Sequence, residues 1–328
     1  MKQIANDPIA QELDRNKWKI AGKAIKKDWQ LYTLLIPLFV SLLLFSYLPM
    51  GGVIRAFQKT STNANGNFQE WVGLTYFKSL MVGENAYEFW RSLKNTFVLS
   101  MYGLIFGFPI PIILAIFFSE IKNRYFRSIT QIISYLPKFM STVVITTMVT
   151  YMLKNQSQYG EAGIIAMLLE KMNLVDSITG TKLLDRPEAF RAIYHISGIW
   201  ASAGYGSIVY FAAIMGISPT NYEAAKIDGA SKIDQIKNIT IPGIMPTLTI
   251  MLILKIGDIL SVGYEKVLLL YSEKTYDRAD VLSTWVYRQR NSYPGIGIAA
   301  DFFNSLVGMF LVLGANFISR KVSDTSLF

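Results

Sequence analysis

SPTNYEAAKIDGASKIDQIKNITIP, residues 218–242, stands between two long apolar runs, residues 192–216 and 241–263. Its chemistry is that of two short helices joined at a bend. Ser218 followed by Pro219 is an N-cap and first-turn pair, and Ala224 and Ala225 are strong helix formers. Gly229 can take the positive φ that ends a helix, and Ser231 with Asp234 three residues on predicts a second capping box. The stretch is thus a compact helix-turn-helix knob of helix formers and small side chains, held between two apolar helices. Such a knob suits transmission of force to a soluble partner better than it suits ligand binding.

The flanking runs belong to a membrane protein. Of 328 residues, 52% are apolar and only 17% are charged, against roughly 25% charged in an ordinary soluble domain. Six runs reach the ~20 residues a helix needs to cross a bilayer core, at 31–50, 97–118, 129–152, 192–216, 241–263 and 296–318. The expected fold is all-α and polytopic, with a basic segment 1–30, a membrane domain 31–318 and a tail 319–328. The first run follows Arg15, Lys17, Lys19, Lys23, Lys26 and Lys27 and ends in Tyr47-Leu48-Pro49-Met50 without a small-x-small cleavage site, so it is expected to be retained. Basic residues near short loops favour the cytoplasm. They place the N-terminus, the loop with Lys122, Arg124 and Arg127, the 218–242 loop and the tail after Arg320 and Lys321 on that side.

Three long connections fall on the other side. One contains residues 161–175, where Ile164, Met167, Leu168 and Met172 recur at helical spacing and predict a short amphipathic helix at the outer surface, its apolar stripe packed on the bundle or else offered to a soluble partner. Trp29, Trp71, Trp90 and Trp285 are placed as interfacial anchors. The formal charge of +9 sets topology and meets anionic lipid, with no nucleic-acid partner expected. With no Cys and one His, the chain has no thiol chemistry and no H-E-x-x-H zinc site, and G-x-S-x-G is absent. No catalytic or metal site is expected. A P-loop is also absent, so energy for any pumping must come from another subunit.

Glu223-Ala224-Ala225, then Gly229, then Ile239 and Pro242 resemble, at every fixed position, the signature loop of bacterial ABC import permeases. The flanks, Tyr222 through Ser231 with Asp228 before the glycine, and Ile239-Thr-Ile-Pro242, resemble the carbohydrate-uptake, maltose-type branch. Trp71-Val-Gly-Leu, Asn95-Thr96, Leu136-Pro137 and Ala315-Asn-Phe-Ile318 are similar to the subgroup that imports oligosaccharides and complex glycans. The resemblance implies a multi-pass protein of the bacterial plasma membrane that pairs with a second homologous permease, as a heterodimer. Two cytoplasmic ABC ATPases using ATP and Mg2+ and an extracytoplasmic binding protein would complete the importer; this chain would bind no cofactor. It further implies that Glu223 meets the ATPase and Gly229 permits the bend. Import of another solute, an amino acid or a metal, is the alternative within the family. An ion-coupled secondary transporter and a membrane-embedded enzyme are the alternatives outside it.

Ionisable groups inside membrane helices mark pathways or specific pairings. Lys255 and Asp258, three residues apart, could neutralise one another or line a cavity. Asp301 and Asn304 share that spacing, and Tyr205 and Tyr210 could supply rings for stacking on a sugar. These six are the candidates for a carbohydrate cavity. His195 is expected to be a packing residue, and Gly103 with Gly107 to mark a close helix contact.

Overall fold

The computed structural model describes residues 26–63, 66–155, 162–174, 183–292 and 294–322. The basic residues before Lys26, together with Glu161 and Val175, lie outside them. The chain forms two units, Met1–Arg55 and Ala56–Phe328. Most of α1 (Trp29–Phe57) lies in the first, and none of its residues through Met50 is buried. Its side chains are apolar nearly all round, as a lipid-facing helix requires.

Among the described residues the second unit is helical apart from one element the sequence did not point to, an antiparallel hairpin of β1 (Gln58–Asn63) and β2 (Gly66–Trp71), with Gln58 opposite Trp71. After α2 (Thr75–Met81), the long α3 (Ala86–Glu120) runs through a π-helical turn at Gly103–Gly107. Then come α4 (Arg124–Phe139), α5 (Thr142–Met152), α6 (Ile164–Lys171) and the second long helix α7 (Pro187–Met215). The chain continues with α8 (Pro219–Ile227), α9 (Lys232–Gly243), α10 (Met245–Gly257) and α11 (Tyr264–Leu270). It closes with α12 (Tyr276–Ala279), α13 (Leu282–Ser292) and α14 (Pro294–Val322).

Among the described residues four helices, α1, α3, α7 and α14, are long and apolar enough to cross a bilayer, and counting each of two bent pairs as one span brings the number to six. The expected third span is α4 and α5, bent by 99°; the expected fifth is α9 and α10, bent by 63°. Proline explains both breaks, since it lacks an N–H and clashes with the preceding turn. Leu136-Pro137 tightens the end of α4 into a 3-10 turn, Met140 becomes extended, and the Ser141 hydroxyl accepts the Val144 N–H to start α5. At the second break Ile244 leaves helical geometry and Pro246 opens α10.

Close backbone approach fixes the packing. A Cβ on Gly204 of α7 would lie 2.0 Å from the Ser134 carbonyl oxygen of α4, and one on Gly257 would lie 2.5 Å from Val312 of α14. Leu99, Phe190, Val267, Leu270, Ala279 and Val281 form one core cluster; Ala56, Leu80, Phe89, Leu282 and Trp285 belong to another. Trp285 is fully buried and donates its indole N–H to Glu88 at 3.0 Å, so it is a core residue and not an interfacial anchor. Trp29, Trp71 and Trp90 are exposed.

A buried polar anchor joins α3 to the segment around α12 and α13. Asp280, fully buried, accepts two hydrogen bonds from Arg288 at 2.8 and 2.6 Å, one from Thr284 at 2.8 Å and one from Arg91 at 3.4 Å. The Asp280 carboxylate raises the Arg288 pKa above its ordinary value. Asn95 donates to the carbonyls of Asp277 and Asp280, and Thr96 accepts the Leu282 N–H at 2.8 Å.

The short helix expected within 161–175 is present as α6, but the stripe named for burial is the outward one. Ile164, Met167, Leu168 and Met172 are exposed, while Ala166 is buried and Ile165 and Leu169 line an apolar cavity of about 580 Å³ with Trp200. The helix is apolar on both faces, so spacing alone could not choose between them.

Candidate functional site: a helix-turn-helix knob and a polar cavity

The knob is locked by its own backbone. At the end of α8 the Ala230 N–H reaches the Ala225 carbonyl at 2.8 Å and the Gly229 N–H reaches Lys226 at 3.1 Å. This is the double bond pattern of a Schellman turn, with Gly229 at φ +78° in the left-handed position. Ser231 then opens α9 with a complete capping box. Its hydroxyl accepts the Asp234 N–H, and the Asp234 carboxylate accepts from the Ser231 hydroxyl and N–H. Those bonds stabilise the ionised form and hold the Asp234 pKa below the usual carboxylate range.

Ser218 behaves differently from the expected cap. Its hydroxyl bonds the Thr220 hydroxyl at 2.7 Å and caps no backbone N–H. Tyr222 closes the knob on itself with a hydrogen bond to Thr240 (3.0 Å), and the Lys232–Glu120 salt bridge (2.6 Å) ties it to the end of α3. Glu223, Ala224, Asp228, Gly229 and Pro242 are exposed, and Ala225 and Ile239 are half-buried. Two large apolar side chains stand out of it, Ile227 at 87% exposure and Ile233 at 75%. Glu223 has no hydrogen bond or salt bridge among the described residues. The arrangement is a doubly capped, small-featured surface that exposes Glu223 and Asp228 beside the aliphatic Ile227 and Ile233.

The cavity lies where the fifth span fails. α10 has 13 residues, about 20 Å at 1.5 Å per residue, against the ~30 Å of a bilayer core. Residues 258–263 leave the helix before α11 begins. Irregular backbone at membrane depth is tolerated where it is buried in protein or lines a wet cavity, and discontinuous helices build the binding sites of many transporters. Here the break borders a polar cavity of about 310 Å³. Its walls are Ser100, Gly103 and Gly107 of α3, Tyr194, His195, Gly198 and Ser202 of α7, Lys255 and Asp258 at the end of α10, and Lys266 of α11. Asp258 and Ser261 also line an adjoining cavity of about 410 Å³ against α14, with Asn304 and Ser305 on its far wall.

Three of the six cavity candidates, Lys255, Asp258 and Asn304, are thus brought together. Lys255 and Asp258 form no salt bridge within 4.0 Å, because Asp258 is the residue on which the helix ends. Asn304 donates to the Leu260 carbonyl at 3.2 Å. Asp301, one turn away, is exposed and lines neither polar cavity, and Tyr205 is exposed with its ring edge on Phe139. Tyr210 packs in the core with Ala115, Ile214 and Ile244, edge-on to Phe108, so it offers no ring to either polar cavity.

Sequence reasoning gave other roles to the glycines and the histidine of this cavity and passed over Lys266. Gly103 and Gly107 mark cavity wall, not close helix contact: a Cβ on Gly107 meets nothing within 4 Å, and one on Gly103 only His195 at 3.8 Å. Lys266 donates to the Tyr194 carbonyl at 2.7 Å and sits 4.6 Å from the Tyr194 ring centroid. His195 stacks on Tyr102 and meets Tyr194 edge-on, yet its Nε2 is buried without a partner among the described residues. It is therefore a wall residue as well as a packing one. The available signal was Lys266 itself, a lysine just beyond an apolar run.

Residues 107–263 match the family described as "Binding-protein-dependent transport system inner membrane component". The polygalacturonan/rhamnogalacturonan transport system permease protein YteP of Bacillus subtilis (strain 168) is 34% identical, over 99% of this chain and 97% of its own. The solved structure of a bacterial ABC transporter involved in import of the acidic polysaccharide alginate contains a chain 40% identical to this one. That match has a TM-score of 0.80 and covers 92% of this chain and 99% of the other. A bacterial alginate ABC transporter in complex with an alginate pentasaccharide-bound periplasmic protein matches at 39% identity and a TM-score of 0.80, covering 93% and 99%. With the broken spans, the exposed knob and these similarities over nearly its full length, the chain belongs to the inner membrane components of binding-protein-dependent transport systems.

Proposed function

We propose that this chain forms half of the translocation pathway of an ATP-driven oligosaccharide importer and takes motion from a separate ATPase through residues 223–242. The observation that carries the coupling assignment is the knob itself: a doubly capped turn with Glu223, Ile227 and Ile233 exposed, closed on itself by Tyr222 and tied to α3 by Lys232. A rigid handle so anchored passes a push into α7, α9 and α10 without bending. The polar cavity at the broken end of α10 lies along the same chain of elements.

Two such permeases, as a heterodimer, would enclose the pathway. Each knob would sit in a cleft of one of two cytoplasmic ABC ATPases, and ATP with Mg2+ bound there would drive the switch from inward- to outward-facing. A binding protein on the opposite face would deliver the sugar. The relatives named for polysaccharide transport support a carbohydrate cargo.

The test is Glu223→Lys, with Gly229→Asn as its companion. A Cβ at Gly229 meets open space and Asn accepts the left-handed backbone well, so Gly229→Asn should keep the knob's shape. Glu223→Lys should leave the chain in the membrane at normal level, abolish co-purification of the ATPase and stop uptake. Normal uptake by Glu223→Lys would remove the coupling role.

A further inference from the structure

The geometry points to an anion subsite on the cavity wall, built from Lys255 and Lys266, that receives a carboxylate of an acidic oligosaccharide. This rests on the sugar-import reading and narrows its substrate class. A neutral sugar needs hydroxyl partners and rings, and lysines inside a membrane protein are expensive enough to mark a ligand or pathway. This wall carries two ammonium groups from consecutive elements, α10 and α11, against a single carboxylate, Asp258. Asp258 forms no salt bridge within 4.0 Å with either lysine, so neither ammonium is directly paired with it.

Lys266 is held in place and not used up. Its bond to the Tyr194 carbonyl takes one of three donors, and the Tyr194 ring supports the cation. A Cβ on Gly198 would lie 3.1 Å from its Nζ, so the glycine makes room for the lysine head. Lys255 has no hydrogen bond or salt bridge among the described residues. The unpartnered Nε2 of His195 lies on the same wall and can take a sugar hydroxyl or a carboxylate oxygen. Asp258 and the carbonyl end of α10 repel a carboxylate but accept hydroxyl donors. A cavity of about 310 Å³ holds part of an oligosaccharide, at the low end of the roughly 300–1,000 Å³ of small-ligand sites.

The complete importer, with its partner permease, ATPases and binding protein, is reconstituted in liposomes. It is given trisaccharides of galacturonate and of mannuronate, their carboxyl-reduced forms, and neutral oligosaccharides. Wild type should take up a uronate trisaccharide in preference to its carboxyl-reduced form. Lys255→Gln and Lys266→Gln should each lower that preference about tenfold, the scale of one lost charge-assisted hydrogen bond, and Lys266→Arg should restore most of it. A preference unchanged in both Gln variants, or a wild type that favours neutral sugars, overturns the anion subsite and leaves sugar import standing. Uptake of no saccharide while the binding protein still stimulates ATP hydrolysis overturns the sugar reading itself.

Discussion

Asp280 accepts four hydrogen bonds with none of its surface in water, so removing it strands Arg288 on a largely covered wall and leaves Arg91 only its 3.7 Å pairing with the exposed Asp277. Breaking one side of a buried pair costs about 3–5 kcal/mol, whereas replacing both sides by apolar groups is often neutral. Because the two arginine side chains keep 30% and 21% exposure, Asp280→Ala should lie at the low end, about 3 kcal/mol. Asp280→Ala with Arg288→Met should regain part of that loss. Thermal unfolding of the detergent-solubilised protein checks both, and a double variant no more stable than the single one contradicts the account. The anchor was illegible in the sequence because Arg91 and Asp280 are 189 residues apart. At the knob, by contrast, Gly229, Ser231 and Asp234 act within a few residues of one another, and their geometry could be read directly. Ser218 shows the limit of even local chemistry, since a neighbouring hydroxyl, Thr220, outcompeted the backbone for it.

Helices report a second layer, in which glycines have opposite meanings. Gly204 lets α7 touch α4, and any Cβ there collides with a backbone oxygen that cannot rotate away. Gly107 opens onto the polar cavity. Gly204→Ala should therefore destabilise by about 3 kcal/mol, the upper part of the overpacking range, with lower yield and melting temperature. Gly107→Leu should hold its melting temperature and lose uptake because the side chain fills the cavity. Equal stability loss in the two variants would show that Gly107 is a packing residue after all. These roles are hidden in sequence because Gly in an apolar run is equally compatible with contact, cavity or kink. The same ambiguity let the third and fifth spans pass as single helices. Hydropathy continues across Pro137 and Pro246, and nothing in the run's composition announces that α10 stops at Gly257. Tyr210 was misplaced for a related reason, since a ring on a membrane helix can face a core as readily as a cavity.

At the scale of the whole molecule, the knob meets a basic connection. The Lys232–Glu120 salt bridge puts the knob beside the end of α3, next to the α3–α4 connection that carries Lys122 and Arg124. The knob and the connection with Lys122 thus lie at the same end of the bundle, as the proposed cytoplasmic placement of both requires. The absence of cysteine allows a direct check with single introduced thiols. Ile233→Cys sits on the exposed knob and Asp277→Cys on a side chain 79% exposed in α12. In intact cells a membrane-impermeant maleimide should label Asp277→Cys and leave Ile233→Cys untouched. Inverted vesicles stripped of ATPase should reverse the pattern. Adding the ATPase back should then slow labelling at Ile233→Cys, because the coupling reading buries that side chain in the ATPase cleft. Labelling of both thiols from the same side would refute the topology, and labelling of Ile233→Cys unaffected by a bound ATPase would detach the knob from its partner even if the topology held.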